Sequence, residues 1–294
     1  MTDDSPRPTD DPTGGRDTPT DDPTGGRDTP TDERDDPVVA VPQIAVDDRE
    51  PDRNLDRIRQ RVTALPNRVD VALFPEYALT GFAADDRVGA TALSRREVVD
   101  RLAPIARAND VGLLAGHLES AGDGEEPYNA STHVPRDVES VADATTYRKR
   151  HLWGEESTSL RAGTDRVVVE TPAGRTGVLT CYDLNFVAES AWLTERAVDA
   201  VFVVGAWPAA HVRNWRLLCR ARALDGVRWL VGAGRTGEGR DGTAYAGNSL
   251  VVRPDGHVAA SVGREARDLI APLDRDTLAG QRAIVESVDT KYEK

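Results

Sequence analysis

Three side chains that could carry out chemistry stand out by their type and by where they occur. Glu76 follows the apolar run 71–75, and Cys181 follows the apolar run 177–180. Lys149 is marked by rarity, because the chain has 34 arginines and three lysines, and the other two lysines lie within the last four residues. Since a compact ammonium and a guanidinium fork are not interchangeable in a tight site, this exception favours a specific role for the lysine.

The cysteine is the candidate nucleophile. A thiol needs a basic or positive neighbour and partial access to react, and the end of a buried strand offers rigidity beside an open edge. The polar pair Tyr182-Asp183 directly after Cys181 marks the exit from such a strand. The alternative is a small apolar core residue, which is the interpretation we give to Cys219, because it shares the apolar face of a predicted helix with Trp215 and Leu218.

Glu76 and Lys149 are candidates for acid–base work and for charge stabilisation. A carboxylate that is half-desolvated at a strand end has a raised pKa and makes a useful general base. A fixed ammonium can stabilise an oxyanion, and one of the pair Glu155 and Glu156 could orient it. The alternative for Glu76 is a solvated loop glutamate, and for Lys149 it is one more member of a basic run. The alternative for Glu155 and Glu156 is a solvated acidic pair. Taken with Cys181, these residue types suggest a thiol hydrolase.

Two other kinds of site are less favoured by the pattern. His151 beside a possible thiol site is compatible with a Cys–His protease, but a histidine within an extended apolar flank is usually structural. The five histidines and two cysteines show no metal-ligand spacing, so we expect no metal.

The elements that must position these residues alternate along the chain. Because strands outnumber helices and are interleaved with them, the pattern indicates a layered α/β domain with helices over the sheet faces. Ser94 with Glu97 forms a capping-box signature for the second helix. Strands are predicted over 38–46, 69–74, 111–119, 128–134, 141–148, 166–171, 176–181, 200–205, 229–234, 247–253 and 257–262, and helices over 51–65, 94–109, 188–196 and 211–225.

The first 36 residues have a different composition. They contain almost no apolar side chains, and an 11-residue unit at 9–19 recurs at 20–30. Such a segment cannot bury enough surface to offset its ordering entropy, so residues 1–36 are predicted to be a disordered acidic tail. This tail holds 12 of the 50 acidic and 4 of the 37 basic residues, so residues 37–294 are only mildly acidic. The composition resembles that of a halophile, although a GC-rich genome would also favour arginine.

The remaining residues are enough for one large domain, predicted over 37–280, with a C-terminal extension over 281–294. There is no basic stripe with interleaved aromatics, so we expect no nucleic-acid partner. No apolar run approaches a membrane span, and no signal-peptide h-region precedes the domain. With only two cysteines in 294 residues, the sequence favours a reducing, cytoplasmic environment.

Three segments of the chain resemble motifs of the nitrilase (carbon–nitrogen hydrolase) superfamily, in the family's order and spacing. Residues 74–76 with 79–82 resemble its glutamate motif, residues 147–152 its lysine motif, and residues 181–184 its cysteine motif. The resemblance covers nearly all of residues 37–275. Further matches lie at Gln43, Asn54-Leu55, Tyr128-Asn129, residues 221–224 and residues 247–249.

The resemblance implies a fold and a set of roles. The implied fold is a four-layer α-β-β-α sandwich whose subunits pair into homodimers or larger homo-oligomers. Glu76 would be the general base, Cys181 the nucleophile and Lys149 the oxyanion stabiliser, helped by the backbone N–H of Tyr182. Glu156 best fits the family's second glutamate, although Glu155 stays open. No cofactor is implied.

The substrate is less well defined by the resemblance. Cys181-Tyr182-Asp183 is typical of the amidase-type members, which implies hydrolysis of a small linear amide, either ω-amidase-like or of a carbamoyl amide. Asn185 stands where many relatives have an arginine, which leaves an acidic substrate open to question. Trp207 and Tyr128 are candidate substrate contacts. The alternatives are a true nitrilase and a catalytically silent family member that acts as a binding protein.

Overall fold

The computed structural model describes residues 36–292, apart from residues 86 and 123, and describes side chains up to residue 286. The tail predicted over 1–36 therefore lies outside the described residues except for Asp36. The strands are β1 Val38–Pro42, β2 Val71–Leu73, β3 Gly112–Glu119, β4 Tyr128–Val134, β5 Thr145–Arg148, β6 Val168–Thr171, β7 Gly174–Thr180, β8 Ala200–Gly205, β9 Trp229–Gly234, β10 Leu250–Val252, β11 Val258–Ser261 and β12 Asp268–Pro272. The α-helices are α1 Pro51–Thr63, α2 Arg95–Asn109, α3 Glu156–Ser159, α4 Val187–Thr194, α5 Val212–Leu224 and α6 Arg275–Tyr292.

The strands form two six-stranded sheets. The first has the order β12-β1-β2-β3-β4-β5 and the second the order β11-β10-β9-β8-β7-β6. Strands β1, β2 and β3 are parallel, as are β7, β8 and β9, while the outer strands of each sheet are antiparallel. Because β4 is antiparallel to both β3 and β5, strands β2 and β5 end at the same edge of the first sheet.

Three apolar clusters set the order of the layers. One lies between the sheets and combines Val41 and Leu73 of the first sheet with Phe202 and Val231 of the second. A second packs α1 and α2 on the outer face of the first sheet, and a third packs α4 and α5 on the outer face of the second. The order is therefore helix, sheet, sheet, helix, and the expected four-layer α-β-β-α sandwich is confirmed.

A single buried side chain ties the two sheets together beside β1. Gln43 donates from Nε2 to the carbonyls of Gly263 (2.9 Å) and Glu265 (2.6 Å), and its Oε1 accepts from the backbone N–H of Ser249 (2.9 Å). A fully buried amide is stabilising only when its donors and acceptors are satisfied, as they are here. Gln43 therefore links the end of β1 to the segments that flank β10 and β11.

Local expectations from the sequence largely hold. Ser94 accepts from the N–H of Glu97 in a capping box that begins α2, as predicted. Strand β12 and helix α6 were not predicted, and β12 pairs antiparallel with β1. The domain boundary expected at residue 280 falls inside α6, so the domain and the extension share one helix. Among the described residues, no helix is long and apolar enough to cross a membrane.

Two buried histidines make the fold sensitive to acid. Burial lowers the pKa of His117 on β3 and of His133 on β4 to about 4. Both imidazoles are therefore neutral in the folded protein, whereas the unfolded chain takes up protons near the ordinary histidine pKa. Below that value the unfolded state binds more protons than the folded state, so the free energy of unfolding falls as the pH falls.

We expect each histidine to reduce the free energy of unfolding by about 2 kcal/mol between about pH 7 and about pH 5. Urea unfolding of the wild type and of His133→Gln at both pH values measures this effect. The variant should lose about 2 kcal/mol less than the wild type over the interval, whatever its stability at neutral pH. An equal loss in both proteins would contradict the assignment of His133 as a buried neutral group.

Candidate functional site

Glu76, Lys149 and Cys181 lie around one cavity of about 610 Å³. Glu76 comes three residues after β2, Lys149 directly after β5, and Cys181 directly after β7. The Nζ atom of Lys149 lies 2.9 Å from Oε1 of Glu76, and all three side chains are buried. The structure thus brings together three residues that are up to 105 positions apart in the sequence.

The second glutamate of the site is Glu156 rather than its neighbour. Lys149 Nζ lies 2.7 Å from Oε2 and 3.0 Å from Oε1 of Glu156, whose side chain is buried. The backbone N–H of Trp153 also donates to Oε2 at 2.8 Å. Glu155 is exposed and lies at the rim of the cavity. The one-turn helix α3 begins at Glu156 and so determines which carboxylate faces the lysine.

Asn129 and Tyr77 complete the polar centre. Nδ2 of Asn129 lies 2.7 Å from Oε1 of Glu76, 2.8 Å from Oη of Tyr77 and 2.8 Å from Oε1 of Glu156. The Tyr77 hydroxyl in turn donates to Glu156. The sequence drew attention to Asn129 only as part of a matching dipeptide and gave no sign of Tyr77. Their position beside the two carboxylates is a consequence of the β3–β4 pairing and of the turn after β2.

The charges of this centre depend on one another. Burial raises the pKa of Glu76 above its usual value, although the Lys149 ammonium opposes this effect. Burial alone would lower the pKa of Lys149, but Glu76 and Glu156 outweigh it and raise that pKa well above its usual range. Burial also opposes the ionisation of Glu156, yet Lys149 prevails and lowers the pKa of that carboxyl. The lysine is therefore charged, and Glu76 is the carboxylate that most readily accepts a proton.

The thiol of Cys181 is protonated at neutral pH. Burial raises its pKa well above the usual cysteine value, and the Glu76 carboxylate raises it further, while Lys149 opposes the shift. The backbone N–H of Ala206 favours the thiolate and also donates to Oε2 of Glu76 at 2.7 Å. A group able to take the thiol proton is thus held beside it.

The backbone at Cys181 adopts a conformation that non-glycine residues rarely occupy, with φ at +51°. Asp183 holds this turn, because its Oδ2 accepts from the Thr180 N–H (3.0 Å) and the Tyr147 hydroxyl (2.7 Å). Its Oδ1 accepts from the N–H of His151 at 3.0 Å. The strain at Cys181 is therefore balanced by contacts that also connect the cysteine turn to the lysine segment.

The remaining predicted residues occupy different places. Tyr182 and Trp207 line a smaller cavity of about 160 Å³ that also reaches Cys181. Tyr128 does not line either cavity; it lies under the guanidinium of Arg148, 4.3 Å from the ring centroid, with Arg161 on the same ring. Its place outside both cavities gives no support to the expected substrate contact.

Other residues that line the larger cavity were not predicted as individuals. The sequence indicated only that the loops 83–93, 120–127 and 235–245 would shape a pocket, and no described residue of 120–127 lines this cavity. The cavity wall includes Phe82, Asp85, Arg240, Asp241, Thr243 and Tyr245. Loop residues of this kind show no periodicity, so their approach to the site could not be read from the sequence.

Known proteins resemble this chain in both sequence and fold. A family model described as "Carbon-nitrogen hydrolase" matches residues 38–283. The "Omega-amidase YafV" of Escherichia coli strain K12 is 30% identical over 211 residues, which are 71% of this chain and 77% of that protein. An "(R)-stereoselective amidase" of a Pseudomonas species is 29% identical over 242 residues, 82% of this chain and 86% of that one. The crystal structure of an amidase from Nesterenkonia sp. superposes with a TM-score of 0.73 at 24% identity, over 85% of this chain and 95% of that one.

The raised pKa of the Cys181 thiol can be measured directly. We expect the ultraviolet difference spectrum between the wild type and Cys181→Ser to show no thiolate absorption between about pH 7 and about pH 8.5, the range in which an ordinary cysteine ionises. Subtraction of the variant removes the contribution of Cys219, whose pKa is also raised by burial. A thiolate band at about pH 7 would show that Lys149 outweighs burial and would contradict this expectation.

Proposed function

This chain belongs to the carbon–nitrogen hydrolase family, and we propose that it hydrolyses small linear amides through a thioester on Cys181. The observation that carries the proposal is the buried Lys149 ammonium, which lies between the carboxylates of Glu76 and Glu156 beside a buried thiol. Such a centre offers a nucleophile, a proton acceptor and a fixed positive charge within one cavity.

The first half of the proposed reaction forms the thioester. Because the Cys181 thiol is protonated at rest, Glu76 takes its proton as the sulfur attacks the amide carbonyl carbon. Negative charge then develops on the carbonyl oxygen, where the Lys149 ammonium and the backbone N–H of Tyr182 would stabilise it. As the C–N bond breaks, Glu76 returns the proton to the nitrogen, and ammonia leaves.

The second half restores the enzyme. Water attacks the thioester carbonyl carbon while Glu76 accepts a proton from that water. The tetrahedral intermediate meets the same two donors, the C–S bond breaks, and the proton passes to the sulfur. The products are the carboxylic acid and the free thiol. Every proton in this sequence is transferred by Glu76, so the raised pKa of that carboxyl suits it to alternate between base and acid.

Similarity to an ω-amidase and to a stereoselective amidase supports primary amides as the substrate class. An ω-amidase-like reaction on a carboxylate-bearing amide and the hydrolysis of a carbamoyl amide are the two forms we propose to distinguish. A true nitrilase and a catalytically silent member remain the alternatives to be tested.

We also propose that the protein is a cytoplasmic homodimer or larger homo-oligomer. Three large apolar side chains on the outer helices support this assembly: Val187 on α4 and Leu217 and Leu224 on α5 are each more than half exposed. Exposed apolar side chains are costly to hydrate, and a second copy of the chain would cover them.

The proposed reaction is tested by ammonia release across a panel of small linear amides, carbamoyl compounds and nitriles. We expect release from at least one amide and none from Cys181→Ala, because that variant has no nucleophile. Cys219→Ala is the matched control, since Cys219 is buried on α5 away from the cavity, and it should keep its turnover. Turnover retained in Cys181→Ala would contradict the assignment, and release from nitriles alone would favour the nitrilase.

Glu156→Gln tests the role of the second glutamate. The substitution keeps the shape of the side chain but removes one of the two charges that hold Lys149, so the lysine would be less well placed for the oxyanion. We expect kcat to fall by at least about tenfold, whereas Glu155→Gln should change kcat by less than about twofold. Equal effects of the two substitutions on kcat would argue against a specific role for Glu156.

A further inference from the structure

A buried ion pair lies behind the wall of the larger cavity. Arg235 Nη2 donates to Oδ1 of Asp48 at 2.8 Å, and the two side chains are 0% and 2% exposed. Neither residue lines the cavity, and neither has a place in the proposed reaction. Because burying two opposite charges costs desolvation energy, such a pair is weak evidence for stability and a reason to look for a positioning role.

Asp48 holds two separate loops of the cavity wall through their backbones. Its Oδ1 accepts from the N–H of Phe82 at 3.0 Å, and its Oδ2 accepts from the N–H of Arg240 at 3.0 Å. Gly81 lets the first loop come this close, because a Cβ there would lie 2.3 Å from the Cα of Asp48. One carboxylate thus fixes the spacing between two loops that are about 160 residues apart in the sequence.

Arg235 fixes a third part of the same wall. The centre of its guanidinium lies 4.1 Å from the ring centroid of Tyr245, in stacking distance. Its backbone N–H donates to the carbonyl of Gly205 at 2.7 Å, and Nη2 also donates to the carbonyl of Val46 at 3.1 Å. Arg235 is therefore attached to the end of β8, to the loop after β1, and to an aromatic ring of the cavity.

We propose that Asp48 and Arg235 are positioning residues that determine substrate specificity by holding Phe82, Arg240 and Tyr245 at fixed separations around the cavity. These three residues lie on the wall, whereas the polar centre of Glu76, Lys149 and Glu156 is held by its own contacts. The pair therefore acts on the part of the substrate remote from the scissile bond. This inference rests on the proposed function for its kinetic consequence, but its structural consequence is independent of it.

Arg235→Lys is the informative substitution. It keeps a positive charge near Asp48 but loses the planar group that stacks on Tyr245 and bridges to Val46. Arg57→Lys is the matched control, because Arg57 bonds Asp47 (2.9 Å), the carbonyl of Ala45 and Asn54. None of these hydrogen bonds, within the described part of the chain, reaches a residue of the cavity wall. Asp48→Asn combined with Arg235→Gln removes both charges together and provides a second variant in case a single substitution fails to fold.

The kinetic measurement compares a short and a long primary amide. In Arg235→Lys, KM for the longest amide that the wild type accepts should rise by about tenfold, while kcat for the shortest amide should change by less than about twofold. Arg57→Lys should leave both values unchanged. Equal loss of kcat for both amides, with KM unchanged, would overturn the proposal because it would place the effect on the polar centre.

Hydrogen exchange tests the same proposal without activity. The N–H groups of Phe82 and Arg240 should exchange at least about tenfold faster in Arg235→Lys and in the double variant, because their common acceptor is displaced. Peptides from β4 should be unaffected in both variants. Unchanged exchange at both loops would overturn the inference. If the wild type released no ammonia from any amide, the proposed function would fail, and the exchange result would still decide on the positioning role.

Discussion

The structure depends on keeping one buried ammonium charged. Lys149 is 1% exposed, and a single carboxylate partner would only neutralise it. Two partners, Glu76 and Glu156, together outweigh the desolvation cost of burying the ammonium and so keep Lys149 charged. Two carboxylates and one ammonium leave one negative charge in excess. Burial raises the pKa of Glu76, so this carboxylate is the one that takes up a proton more readily. A proton acceptor and a permanent cation thus arise from the same interaction.

The surrounding fold supplies what this cluster requires. Strands β2 and β5 end at one edge of the first sheet with β3 and β4 between them, so the turn after β2 must carry the glutamate along that edge to the lysine. Strand β7 belongs to the other sheet, and its cysteine reaches the centre only because the sheets pack face to face. The four-layer architecture therefore brings the glutamate, lysine and cysteine segments together. Asp183 then connects the cysteine segment directly to the lysine segment, because it accepts hydrogen bonds from Tyr147 and His151.

Much of this could be predicted from the sequence, for physical reasons. Buried strands carry continuous apolar runs, so β4, β8 and β9 were predicted at their observed bounds, and Glu76 and Cys181 lie where such runs end. The preference for Glu156 over Glu155 rested on the family resemblance. The residues alone could not decide between them, because the direction in which each side chain points is set by the one-turn helix α3. Strand β12 was missed since its pairing with β1 spans more than 200 residues. The two arginines beside Tyr128 could not be predicted for a similar reason, because folding brings them to that ring.

The pairing of β12 with β1 has a consequence for how the protein is made. The strand that covers the outer edge of β1 is among the last parts of the domain to leave the ribosome, and Gln43 finds its acceptors at residues 263 and 265 only slightly earlier. Until then β1 presents an uncovered sheet edge, which is a template for pairing with other chains. The edge of β1 must therefore be protected until residues 268–272 have been synthesised, and the domain can close only after that point.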